Sequence, residues 1–138
     1  MQRLKDKRGY KLLKQSTLKS VSNFFLIVYL FDSALQESLA GITVSKKVGN
    51  AVTRNKIKRR IKAFLIGFKP REETPRFLCN IIALQPVVMT DWQVFCHELQ
   101  RCLWKVETGK SNGSQRDMNI SVLNSNEEKI SSDVSDNI

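Results

Sequence analysis

Residues 46–62 read KKVGNAVTRNKIKRRIK. Between positions 51 and 62 stand six basic side chains, Arg54, Lys56, Lys58, Arg59, Arg60 and Lys62, and no acidic one. Val52, Ile57 and Ile61 lie among them, so the segment also has something to bury. At ~100° per residue, Ile57, Ile61, Phe64 and Leu65 gather on one edge of a helix. Lys58, Lys62, Asn55, Arg59, Lys56 and Arg60 sweep across the rest, with Arg54 at the border, pointing into the groove between helix and sheet. The spacing predicts a helix over 51–66, entered by a basic turn with Gly49 and stopped by Gly67 and Pro70. No acid stands three or four places from any of these cations within 51–62, so the run cannot be neutralised along its own helix. Lys46 and Lys47 add charge ahead of the N-terminus, where the helix dipole disfavours cations. A face of this kind asks for a polyanion.

Outward from this helix, residues 39–45 (LAGITVS) and 23–31 (NFFLIVYLF) read as strands. Their short connection predicts that they pair antiparallel. Residues 77–84 (FLCNIIAL) form a third strand, closed by Pro86. Thr90, with Gln93 at the capping-box position, is expected to start a last helix over 91–106. Trp92, Phe95, Cys96, Leu99, Cys102, Leu103 and Val106 give that helix a wide apolar stripe suited to a core. Residues 8–15 (RGYKLLKQ) predict a short first helix, and 16–23 a polar loop. The order α-β-β-α-β-α predicts an α+β, two-layer α/β sandwich, a small mixed sheet with helices on one face. A crossover through the cationic helix is right-handed by default.

The 138 residues carry a net charge of +10. Residues 1–106 hold 20 Lys/Arg against 7 Asp/Glu, whereas 107–138 hold 3 against 6. One basic RNA-binding domain over 1–106 and a disordered polar tail over 107–138 are therefore expected. Cys79, Cys96 and Cys102 lack paired spacing, and the single His97 cannot complete a zinc set with them; they read as small buried hydrophobes. The first 19 residues are charged throughout, so no secretory signal is expected, and the apolar run 24–31 is far below the ~20 residues of a membrane helix. A cytoplasmic protein without membrane contact is expected. The acids of the basic part, Asp6, Asp32, Glu37, Glu72, Glu73, Asp91 and Glu98, are scattered, so no catalytic or metal-binding residues are assigned.

Residues 41–62, GITVSKKVGNAVTRNKIKRRIK, resemble the signature of the bacterial ribonuclease P protein component. In that family a strand ending in V-S-K-K leads through G-N-A-V into an R-N-R-x-K-R helix. R-L-K-D-K-R-G-Y at 3–10 is similar to the family's lead into its first helix, and N-I-I-A-L-Q-P at 80–86 to a strand ending near proline. The resemblance spans about residues 3–106. Three places depart from it. Lys56 replaces the triplet's second arginine, which keeps the charge and loses the planar fork. Ser16 or Thr17 stands where a glycine follows the first helix, and Leu84 and Gln85 occupy basic positions.

The resemblance implies a sandwich with an unusual left-handed β-α-β crossover. It implies a protein subunit of an enzyme whose catalyst is the large RNA, with Mg2+ required by that RNA and no cofactor assigned to the protein. The partners implied are ribonuclease P RNA, one copy to a protein monomer, and precursor tRNA. Lys46, Lys47, Arg54, Asn55, Lys56, Lys58, Arg59 and Lys62 would meet the catalytic RNA. A groove between first helix and sheet would hold the single-stranded 5′ leader, with Tyr10, Phe25, Tyr29 and Arg54 as its lining. The competing class is another basic RNA- or DNA-binding module, such as a ribosomal protein; preference for duplex DNA over structured RNA would select it.

Overall fold

The computed structural model describes residues 1–109. Strand β1 (Gln2–Arg3) and helix α1 (Lys7–Lys14) lead into strands β2 (Leu18–Val21), β3 (Phe25–Phe31) and β4 (Leu39–Thr43). Helix α2 (Ala51–Gly67), strand β5 (Phe77–Ala83), a 3-10 turn (Gln85–Met89) and helix α3 (Trp92–Thr108) follow. The five strands form one mixed sheet in the order β1-β4-β5-β3-β2. No helix of the described residues is long and apolar enough to cross a membrane.

Strand alternation sorts the core into two halves. Phe25, Ile27, Tyr29, Phe77, Cys79, Ile81 and Ala40 face one way and pack with Ile57, Ile61 and Leu65 of α2 and Phe95, Leu99 and Leu103 of α3. Val28, Leu78 and Ile82 face the other way and pack with Leu4 and Leu13. The expected mixed sheet with helices packed against it is present, but the helices do not share one face. The short α1 covers part of the second face, because β3 and β5 are apolar on both sides and need cover on both.

Strands β3 and β4 do not pair, contrary to the expectation from their short connection. β5 lies between them, antiparallel to β3 and parallel to β4. Residues 32–38 arch over the start of β5: Arg76 Nη1 donates to the Leu35 carbonyl at 2.8 Å, and Phe77 N–H to Ser38 Oγ at 3.0 Å. The expected loop at 16–23 contains β2. Its Ser20 is buried without an apolar side chain because its hydroxyl donates to the Cys102 carbonyl at 3.0 Å.

The hand of the β4–α2–β5 crossover follows from one hydrogen bond. In a strand of L-residues running upward, a residue facing the viewer points its own N–H and C=O to the right. Ala40 packs on the α2 side, and its carbonyl accepts from Leu4 N–H at 2.8 Å. Seen from α2, β1 is therefore right of β4, and β5 is left of it. A chain that rises along β4, descends through α2 in front and rises again to the left makes a left-handed crossover. This is the rare hand for such units, and the one the resemblance implies.

Helix ends also differ from expectation. Asp91, not Thr90, caps α3, its Oδ1 accepting from Val94 N–H at 2.9 Å. Thr90 is taken by the preceding turn, its hydroxyl donating to the Val87 carbonyl at 2.7 Å. α3 runs past residue 106, and Glu107 Oε1 accepts from Arg71 N–H at 2.8 Å and Thr74 Oγ1 at 3.0 Å. Residues 107 and 108 thus belong to the folded domain. The rest of the expected polar tail, from 110 on, lies outside the described residues.

Candidate nucleic-acid interface

Helix α2 is built to hold its cations outward. Asn50 caps it, Oδ1 accepting from Thr53 N–H at 2.9 Å. Ile57, Ile61 and Leu65, one turn apart, are sealed against the sheet. The faces left over carry Asn55, Lys56, Arg59 and Lys62, all exposed, and the half-buried Lys58. Lys46 and Lys47 are exposed on the turn ahead of the helix. Among the described residues the ion pairs are Arg8–Asp6, Arg71–Glu73, Arg71–Glu107 and Arg101–Glu98. None of them reaches the cations of α2 or of its leading turn.

Two arginines of α2 are engaged within the fold. Arg54 Nε donates to the Gly49 carbonyl at 3.2 Å, which bends the half-buried side chain back over the leading turn. Arg60 leaves the cationic face altogether. Its Nη1 donates to the Thr90 carbonyl at 3.0 Å and its guanidinium lies 5.7 Å from the Phe95 ring centre. Helical spacing alone places Arg60 with the other cations; only the fold brings α3 beneath it.

The second site divides differently from expectation. Phe25 and Tyr29 are fully buried on the α2–α3 face, where Phe25 meets Phe95 edge-on at 5.2 Å and Tyr29 meets Phe31 edge-on at 5.6 Å. They are core, and cannot line a groove beside α1. Tyr10 is on the α1 side and half-buried. Its hydroxyl donates to the Leu4 carbonyl at 3.4 Å and accepts from Ile42 N–H at 3.3 Å. An open groove of about 400 Å³ runs along α1, lined by Lys7, Tyr10, Lys11 and Lys14. These four recur at helical spacing on one face, a signal present in KRGYKLLK and missed when only its apolar residues are weighed. Beyond Tyr10 the sheet presents Asn80, whose Oδ1 accepts from Thr43 Oγ1 at 3.0 Å. Gln85 is exposed at the start of the 3-10 turn, and Leu84 is half-buried beside it.

Among the described residues no three His, Cys, Asp or Glu side chains are grouped as metal ligands. Cys79 and Cys102 are buried, and burial pushes both thiols up, away from thiolate reactivity.

Comparison with known proteins agrees with this picture. The family model for Ribonuclease P matches residues 1–107. The ribonuclease P protein component of Streptococcus agalactiae is 34% identical over 91 residues, 66% of this chain and 81% of that protein. That of Streptococcus thermophilus is 35% identical over 79 residues, 52% of this chain and 71% of that protein. Among solved structures, the ribonuclease P protein of Staphylococcus aureus superposes with a TM-score of 0.66 at 26% identity, covering 78% of this chain and 96% of that one. The ribonuclease P protein of Thermotoga maritima shares the fold, with a TM-score of 0.63 at 22% identity over 78% of this chain and 99% of that one. With its left-handed crossover, its uncompensated cationic helix and a family match running from residue 1 to 107, the chain belongs to the bacterial ribonuclease P protein family, accessory subunits of an RNA catalyst.

Proposed function

We propose that α2 and its leading turn dock on the catalytic RNA, while the groove along α1 receives the 5′ leader of precursor tRNA. The observation that carries the first half is the run of outward cations, Lys46, Lys47, Lys56, Lys58, Arg59 and Lys62, with no acid partner among the described residues. Ammonium and guanidinium groups take phosphates, Asn55 adds directional hydrogen bonds, and the half-buried Arg54 adds positive charge at the leading turn. Lys56 acts as a point charge, without the paired donors an arginine would bring.

The groove combines Tyr10, whose ring can stack under a base, with Lys7, Lys11 and Lys14 to hold the strand's phosphates. A leader bound there belongs to the precursor and not to the product, so it favours the substrate over the mature tRNA. The ribozyme and its substrate are both polyanions. A cationic wedge between them lowers their repulsion and with it the Mg2+ that the RNA requires, while bond breaking stays with the RNA.

Affinity of the chain for ribonuclease P RNA, measured across a salt series, tests the reading. Each neutralised phosphate contributes a slope of about −0.7 to −0.9 in log affinity against log salt. Six cations predict a steep fall. A flat response overturns it, as does equal affinity for precursor and mature tRNA for the groove.

A further inference from the structure

We propose that Trp92, at the head of α3, is a stacking platform for an unpaired base of the same RNA that docks on α2. The inference rests on the reading of α2 as an RNA-docking face and extends that interface to a second element.

Trp92 lays one ring face on Phe95, with centroids 5.7 Å apart and planes at 18°. It nevertheless stays 43% exposed. Phe95 is fully buried and braced edge-on by Phe25. Trp92 is thus the outer layer of an aromatic pile rooted in the core, and its free face meets solvent. An indole packed in this way has already given up its rotamer freedom, so little more is lost when a ligand stacks on it.

Charge also sits at the base of this aromatic pile. Arg60 crosses from α2 to the Thr90 carbonyl and to Phe95, the same ring that carries Trp92. It clamps the head of α3 against the cationic helix. Lys56 lies one turn before Arg60 on that strip of α2, and Arg59 stands next to it. Both are exposed, and neither has an acid partner among the described residues. Met89, 88% exposed, continues the apolar surface ahead of Trp92.

An unpaired nucleotide offers a flat π face and a phosphate about one side chain away, and this arrangement suits both. Double-helical nucleic acid keeps its faces stacked and cannot use the indole. A second copy of this chain would bring the same uncompensated positive charge against it. A single-stranded loop or bulge of folded RNA satisfies the aromatic face and the cations together.

The chain has two tryptophans, so Trp104→Phe leaves Trp92 as the only indole. In that variant, added ribonuclease P RNA is expected to quench the emission along the binding curve; unchanged emission at saturating RNA overturns the proposal. In the otherwise intact chain, Trp92→Ala is expected to weaken RNA binding roughly 5- to 150-fold. The slope against salt should not change, because the substitution removes no charge. Trp92→Phe should recover most of the affinity. If Lys58→Glu weakens binding and Trp92→Ala does not, the platform fails and the α2 reading stands. If neither does, both fail.

Discussion

Tyr10 lies so flat across Gly41 that a Cβ on Gly41 would stand 2.5 Å from the Tyr10 hydroxyl oxygen and 2.6 Å from two ring carbons. The glycine is required by this approach and not by its backbone angles. Gly41→Ala is expected to push the ring off the sheet, break its hydrogen bonds to Leu4 and Ile42, and cost about 1–3 kcal/mol of stability by overpacking. It should also erase the preference for precursor over mature tRNA. Chemical denaturation and paired binding curves check both effects. Wild-type discrimination in this variant would remove Tyr10 from the leader site.

The exposed cations of α2 should be separable from the fold. Lys58→Glu with Arg59→Glu is expected to leave the circular dichroism spectrum unchanged, since neither side chain is ion-paired among the described residues. RNA affinity should collapse, and the salt slope should shrink by roughly 0.7–0.9 for each phosphate that the variant no longer neutralises. Retention of RNA at moderate salt by this double variant would mean that the interface lies elsewhere.

Arg60 makes the opposite case. Its contacts to the Thr90 carbonyl and the Phe95 ring hold α2 to α3. Arg60→Gln is expected to lower stability by about 1–2 kcal/mol, because it removes the hydrogen bond and the cation–π interaction together. The salt slope for RNA binding should stay near that of the wild type. A slope reduced as much as by Arg59→Glu would place Arg60 on the RNA face after all.

These contrasts mark how far the sequence could be read. The cationic helix was legible because its buried edge, Ile57, Ile61 and Leu65, repeats within one element. Strands β3 and β5 were legible because both are apolar throughout. That same uniformity hid which face each residue takes, so Phe25 and Tyr29 could be assigned to the groove although they belong to the core. Strand β2 was obscured because Ser20 is buried through a hydrogen bond to a residue far along the chain. The place of β5 between β3 and β4, and the diversion of Arg60, are long-range facts without a local pattern. Lys7, Lys11 and Lys14 did carry a local pattern, visible once charged residues are given the same periodicity test as apolar ones.

The domain's end can be tested at Glu107. Its side chain is 5% exposed and joins α3 to the loop that carries Arg71 and Thr74. Glu107→Ala leaves those donors without their acceptor and is expected to cost about 1–3 kcal/mol. A chain ended after residue 106 should lose the same stability, and one ended after residue 109 should keep it. Equal melting of the two truncated chains would show that the Glu107 hydrogen bonds contribute nothing.

Acid should act first on α1. Asp6 caps this helix, and the hydrogen bond from Arg8 N–H, at 2.9 Å, holds its carboxyl below the ordinary aspartate value, opposed by desolvation and aided by the Arg8 charge. A carboxyl whose folded value is depressed stabilises the fold above its unfolded value, ~3.9. That contribution is lost as pH falls through the folded value. Amide exchange at Arg8, Gly9 and Tyr10 is therefore expected to quicken below about pH 4 relative to the sheet. Asp6→Asn retains the capping oxygen and should abolish the pH dependence. Because Tyr10 follows the cap by one turn, the groove should loosen in the same pH range. If exchange in the wild type and Asp6→Asn responds to acid alike, the cap is not what holds α1 against the sheet.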